Sequence, residues 1–128
     1  MSETITITLP MPPKVLTPNG RPFSRRGMIG KAVAAKKQRQ LAHDALDALQ
    51  LDTLPWPAVS CKYVFYHAVK RRRDDDNYIA AMKAARDGLV QAGLVHDDDS
   101  TRWRTEGAEF RTDPKQKRCE IVLTRVDD

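Results

Sequence analysis

The absences in this sequence narrow it first. Its apolar runs are only a few residues long, whereas a membrane-spanning helix needs ~20. A soluble chain with no membrane role is therefore expected. The start of the chain has no basic stretch leading into an apolar one, so the expected location is cytoplasmic rather than secreted. Cysteine is scarce: Cys61 and Cys119 belong to no C-x-x-C pair and have no histidine at metal-ligand spacing. Both read as small buried hydrophobes of a reducing compartment. The chain has 128 residues, and at that length about two thirds of the unfolded surface is buried on folding. No disulfide or structural metal is needed to fold, and one domain over residues 1–128 is expected.

Acid is the other scarcity. Residues 1–40 contain Glu3 as their one acid against eight cations, a net +7, while the remaining 88 residues sum to −2. The excess favours a polyanionic partner. Six of the sixteen acids of the second part are packed into two short clusters, an arrangement suited to nucleic acid held beside bound metal.

Residues 3–9 alternate, with Ile5, Ile7 and Leu9 on one face and Thr4, Thr6 and Thr8 on the other, which predicts a half-buried strand. From Leu9-Pro10 to about Ile29 no periodicity survives, and the segment reads as a basic loop suited to contacting DNA. Residues 31–51 predict a first helix, with an apolar stripe of Ala34, Leu41, Ala45, Ala48 and Leu49. Residues 59–69 predict a second strand. Residues 77–92 predict a second helix striped by Tyr78, Ile79, Met82, Ala85 and Leu89 and closed by Gly93. Residues 101–111 and 118–126 predict a hairpin around Asp113-Pro114. The expected fold is α+β: a mixed sheet with two packed helices in the order β-α-β-α-β-β.

Four cations, Lys70, Arg71, Arg72 and Arg73, run straight into Asp74-Asp75-Asp76. Extended geometry would send Asp74 and Asp76 to one face and Asp75 to the other. Two converging carboxylates repel unless a hard divalent cation joins them, as Mg²⁺ or Mn²⁺ does. Helix capping accounts for the same aspartates without metal, and both readings stay open at this level. A calcium loop is excluded, because Ile79 and Ala85 occupy the positions of its turn glycine and bidentate glutamate. The second cluster, His96-Asp97-Asp98-Asp99, follows Gly93. Asp76, Ala80, Lys83 and Asp87 share one helix face, so Lys83 can look toward the metal cluster across the small Ala80; a surface pair of Lys83 with Asp87 is the alternative, in the poorer orientation for such a pair.

Arg73-Asp74-Asp75-Asp76-Asn77, then a helix, then Ala92-Gly93-Leu94-Val95-His96-Asp97-Asp98 resembles the R-D-x-D-N … A-G-x-x-x-D-D signature of the RusA family of Holliday junction resolvases. The opening strand with Leu9-Pro10-Met11-Pro12-Pro13 is similar to that family's N-terminus. The resemblance implies a metal-dependent endodeoxyribonuclease for four-way DNA junctions, with Asp74, Asp76 and Asp98 as Mg²⁺ ligands (Mn²⁺ able to substitute) and Asp97 as an auxiliary acid. It also implies a catalytic lysine on the intervening helix. The family places that lysine where this sequence has Ala80; the helix is three residues longer here, and Lys83 is its equivalent if those residues add a turn but not if they loop out. His96 stands where an apolar residue is expected and reads as a surface histidine. DNA arms would lie along Arg21, Arg25, Arg26 and Lys70 to Arg73, and paired incisions would call for a homodimer. The rival readings are a non-catalytic DNA-structure-binding or regulatory protein, and a metal nuclease for flaps or forks.

Overall fold

The computed structural model describes residues 3–17 and 24–127. Strands β1 (Thr4–Leu9), β2 (Ala58–His67), β3 (Trp103–Thr112) and β4 (Arg118–Val126) form one mixed sheet in the order β1-β4-β2-β3. Helix α1 (Arg25–Asp47) lies between β1 and β2, and helices α2 (Asp75–Ala80) and α3 (Lys83–Gln91) lie between β2 and β3. The architecture is α+β, as the residue pattern predicts, with the second helix divided in two. Among the described residues no helix is long and apolar enough to cross a membrane.

β2 decides the topology. Ala58, Val59, Cys61, Tyr63, Val64 and Phe65 are all buried, a near-continuous pattern suited to a strand with neighbours on both sides. It pairs antiparallel with β4 and parallel with β3. The expected hairpin of β3 with β4 therefore does not form, because β2 lies between them. A parallel neighbour requires a helical crossover, which α2 and α3 supply. The segment after β3 instead passes the end of β2, where the Asp113 N–H donates to the His67 carbonyl at 2.7 Å. Arg118 closes onto the Asp113 carboxylate at 2.8 Å.

One face of the sheet carries the core: Ile7, Leu9, Val59, Cys61, Tyr63, Phe65, Cys119, Ile121 and Leu123, joined by Ala42, Leu46, Met82, Ala85 and Leu89 from the helices. β3 keeps to this face through a bulge. Cys61 pairs with Thr105 but Lys62 pairs with Gly107, so the extra Glu106 reverses the alternation and turns Ala108 and Phe110 toward the core. Gly107 takes φ +133 there, a conformation L side chains avoid. The Phe110 ring stacks on Phe65 at 5.6 Å. On the other face Lys62 pairs with Glu109 at 2.8 Å, and Arg118 lies 3.8 Å over the Tyr66 ring. Cys61 and Cys119 are free and buried, as expected. Burial pushes the Cys61 thiol up to about 12 and raises that of Cys119 as well.

Both helical regions depart from expectation. α1 starts at Arg25, six residues before the expected Lys31, because Ser24 caps it by accepting from the Gly27 N–H at 3.1 Å. Its buried residues are Gln38, Ala42 and Leu46, whereas Leu41 and Leu49 of the expected stripe are exposed. A close helix crossing accounts for Ala42: a Cβ on Gly88 of α3 would stand 2.1 Å from the Arg39 carbonyl oxygen of α1. Backbones that near admit small side chains between them. The expected single helix over 77–92 breaks at Met82, whose ψ of 5 leaves helical geometry. Met82 is fully buried, with its sulfur 3.9 Å from Cys119 Sγ.

Candidate metal centre

β2 ends at His67, and an extended segment carries the chain to Asp74. Asp74 is the N-cap of α2; its carboxylate accepts from the Asp76 N–H at 3.1 Å. Asp75 Oδ1 accepts from the same N–H at 3.0 Å. The opposed placement expected of Asp75 fails because the chain turns helical at that residue, so strand alternation no longer applies. Ligand oxygens of Asp74, Asp75 and Asp76 all lie within 4.8 Å of one another, and all three residues are exposed. Three carboxylates this close suit a hard divalent cation, and their exposure leaves room for water and a phosphate oxygen beside it.

The second cluster meets α3. Asp98 Oδ2 lies 3.2 Å from Lys83 Nζ and 3.2 Å from Arg86 Nε. The Arg86 approach is too bent to be a hydrogen bond, leaving that buried N–H without a partner. The guanidinium carbon of Arg86 sits 5.7 Å from the centre of the Trp103 ring. Both cations take the same oxygen of Asp98, and Oδ1 has no side-chain partner among the described residues. The hydrogen bond from Lys83, and then the Lys83 and Arg86 charges, hold the Asp98 carboxyl below the usual range. Lys83 also binds Asp87 at 2.8 Å, and Asp87 first, then Asp98, raises the pKa of its ammonium.

The structure thus joins Asp74 to Asp76, and Lys83 to Asp98. Among the described residues Asp98 does not belong to the tight group of three carboxylates. Asp97 is exposed and accepts from the Asp98 N–H at 2.7 Å. Asp99 anchors the following turn, accepting from the Thr101 N–H and hydroxyl and from Arg102. His96 is exposed, as a surface histidine should be. Lys70, Arg71 and Arg72 are exposed, whereas Arg73 is half-buried and donates to the Val69 carbonyl at 3.0 Å and the Tyr78 hydroxyl at 3.3 Å. Arg25 and Arg26 are exposed in the first turn of α1, and Arg21 lies outside the described residues. Sequence reasoning missed Asp75 and Arg86. Arg86 had a usable signal, since three residues after Lys83 it returns to nearly the same side of the helix.

No protein-family model and no curated protein matches the chain.

Proposed function

We propose that this chain is a Mg²⁺-dependent, structure-specific endodeoxyribonuclease of the RusA type that cuts four-way DNA junctions as a homodimer. The observation that carries the reading is the convergence of the Asp74, Asp75 and Asp76 carboxylates within 4.8 Å at the end of a run of four cations. The motif resemblance over residues 73–98 supplies the substrate class.

Asp74 and Asp76, with Asp75 beside them, would hold the metal, and Oδ1 of Asp98, which no side chain of the described residues engages, would provide the third acid. When bound, Mg²⁺ supplies Lewis-acid charge to the scissile phosphate and to an attacking water. Lys83, steadied by Asp87 and Asp98, contributes a fixed positive charge to the phosphoryl oxygens as negative charge builds on them. Lys70, Arg71 and Arg72 are free to contact the DNA backbone, whose release of counterions makes binding fall with salt.

Cleavage of a four-way junction, a flap and a linear duplex at equal concentration, with Mg²⁺ and with EDTA, tests the reading. Junction cutting should require Mg²⁺ or Mn²⁺, and Asp76→Asn should abolish it while junction binding persists or strengthens. An Asp76→Asn protein that still cuts refutes the site. The hydrogen bond from the Asp76 N–H to Asp74 favours the second reading, a DNA-structure-binding protein whose aspartates serve as caps. Junction binding without cutting in any metal would establish that one instead.

A further inference from the structure

A cleft of about 760 Å³ opens between the segment after β1, the end of β2 and the first turns of α2. Its volume is that of a small-ligand site. Four cations line it, Lys14, Arg71, Arg73 and Lys117, and no acid does among the described residues. His67 and Tyr78 contribute aromatic rings, and Met11, Pro12 and Val69 contribute apolar surface. His67 is 9% exposed, with Nδ1 buried and without a partner among the described residues, while Nε2 lies 3.2 Å from the Tyr78 hydroxyl, which accepts from Arg73. Val69 is 56% exposed despite its apolar side chain.

We propose that this cleft receives one unpaired nucleotide of a DNA strand, with its phosphate among the four cations and its base against the aromatic and apolar wall. The inference deepens the nuclease reading and rests on it for the choice of DNA. An anion alone would need the cations but not the apolar wall. A paired base is already stacked within its duplex and cannot present its face to the half-buried Tyr78 or to the apolar wall beside it, whereas an extrahelical base can. Asn77 belongs both to the cleft and to the turn that follows Asp76. A nucleotide seated there would fix the strand next to the acids.

The test is fluorescence anisotropy in EDTA with three otherwise identical duplexes: fully paired, carrying one extrahelical thymidine, and carrying an abasic residue at that position. The extrahelical thymidine should tighten binding about tenfold, the scale of one base–aromatic stack, and the abasic residue should remove the gain. Lys14→Ala with Lys117→Ala, both at exposed positions, should erase most of the preference while weakening paired duplex less. Thymidine monophosphate should compete better than inorganic phosphate. Equal affinity for the three duplexes, an unchanged preference in the double variant, or equal competition by phosphate would overturn the proposal. A protein that cuts junctions yet shows no preference removes the cleft assignment and spares the nuclease. One that prefers the extrahelical base yet never cuts does the reverse.

Discussion

Replacing Gly88 with alanine puts a carbon 2.1 Å from the Arg39 carbonyl oxygen, 2.9 Å from its carbon and 3.1 Å from its Cα. All three atoms are backbone, so no side-chain rotation relieves the clash. Ordinary contact begins at 3.4 Å, so α1 and α3 would have to separate by more than about 1 Å, and a gap of about 0.5–1 Å already forfeits about a quarter to a half of the dispersion attraction across it. The facing side chains are fully or almost fully buried: Ala42 and Leu46 on α1, Ala85 and Leu89 on α3. Overpacking of this kind costs about 1–3 kcal/mol or somewhat more, and alanine's better helix propensity returns about 1 kcal/mol. With backbone on the receiving side the cost belongs at or above the top of that range, which leaves about 2–3 kcal/mol of net destabilisation. For a chain of this length that lowers the melting temperature by roughly 6–15 °C. Gly30, in the same α1 helix, has nothing within 4 Å of its Cβ position, and Gly30→Ala should stabilise by about 0.5–1 kcal/mol. Thermal melting followed by circular dichroism reads both. A Gly88→Ala protein melting within about 2 °C of the wild type would show that α1 and α3 do not cross where the structure puts them.

Cys61 and Cys119, buried and with raised pKa values, should resist an aromatic disulfide reagent in the folded protein and react together in denaturant; rapid native labelling of either would contradict their burial. His67 gives a pH dependence of definite sign. Burial first, then the charges of Arg73 and Lys117, lowers its pKa below 6.5, so the folded state prefers the neutral ring and the unfolded chain binds the proton more readily. Its contribution is complete above about pH 6.5 and is lost as pH falls through the lower folded value. Melting temperatures from pH 8 to 5 should fall more steeply for the wild type than for His67→Asn, and parallel curves would refute this.

The strands were legible where one rule acted alone. In β1 the alternation of Ile5, Ile7 and Leu9 with threonines needs only one buried face, and the pattern states it. The partnership of β3 with β2 was not legible, because Asp113-Pro114 is an equally good turn whether the chain doubles back beside itself or passes the end of another strand. α1 misled for a different reason: its Leu41 faces outward while the small Ala42 faces inward where Gly88 brings the backbones close, and Leu49 lies past the end of the helix. In the candidate site the aspartate run is visible in the sequence and the helix-face spacing aims Lys83 toward it; the contact Lys83 makes with Asp98, on a separate segment, is not a matter of spacing. The turn of Asp75 back toward its neighbours depends on where the α2 helix begins, and the contact of Arg86 with Trp103 depends on the parallel crossover.

The bulge in β3 also bears on how copies of this chain meet. β3 is an outer strand, and an outer strand offers unpaired N–H and C=O groups to any passing chain. Here Glu106 is one residue too many, Gly107 kinks the backbone at φ +133, and Arg104, Glu106, Glu109 and Arg111 stud the flank with charge. A second strand laid along it would lose register at the kink and would have to desolvate these charged side chains. Self-association by extending the sheet through β3 is therefore disfavoured, which leaves β1 as the open edge of the sheet.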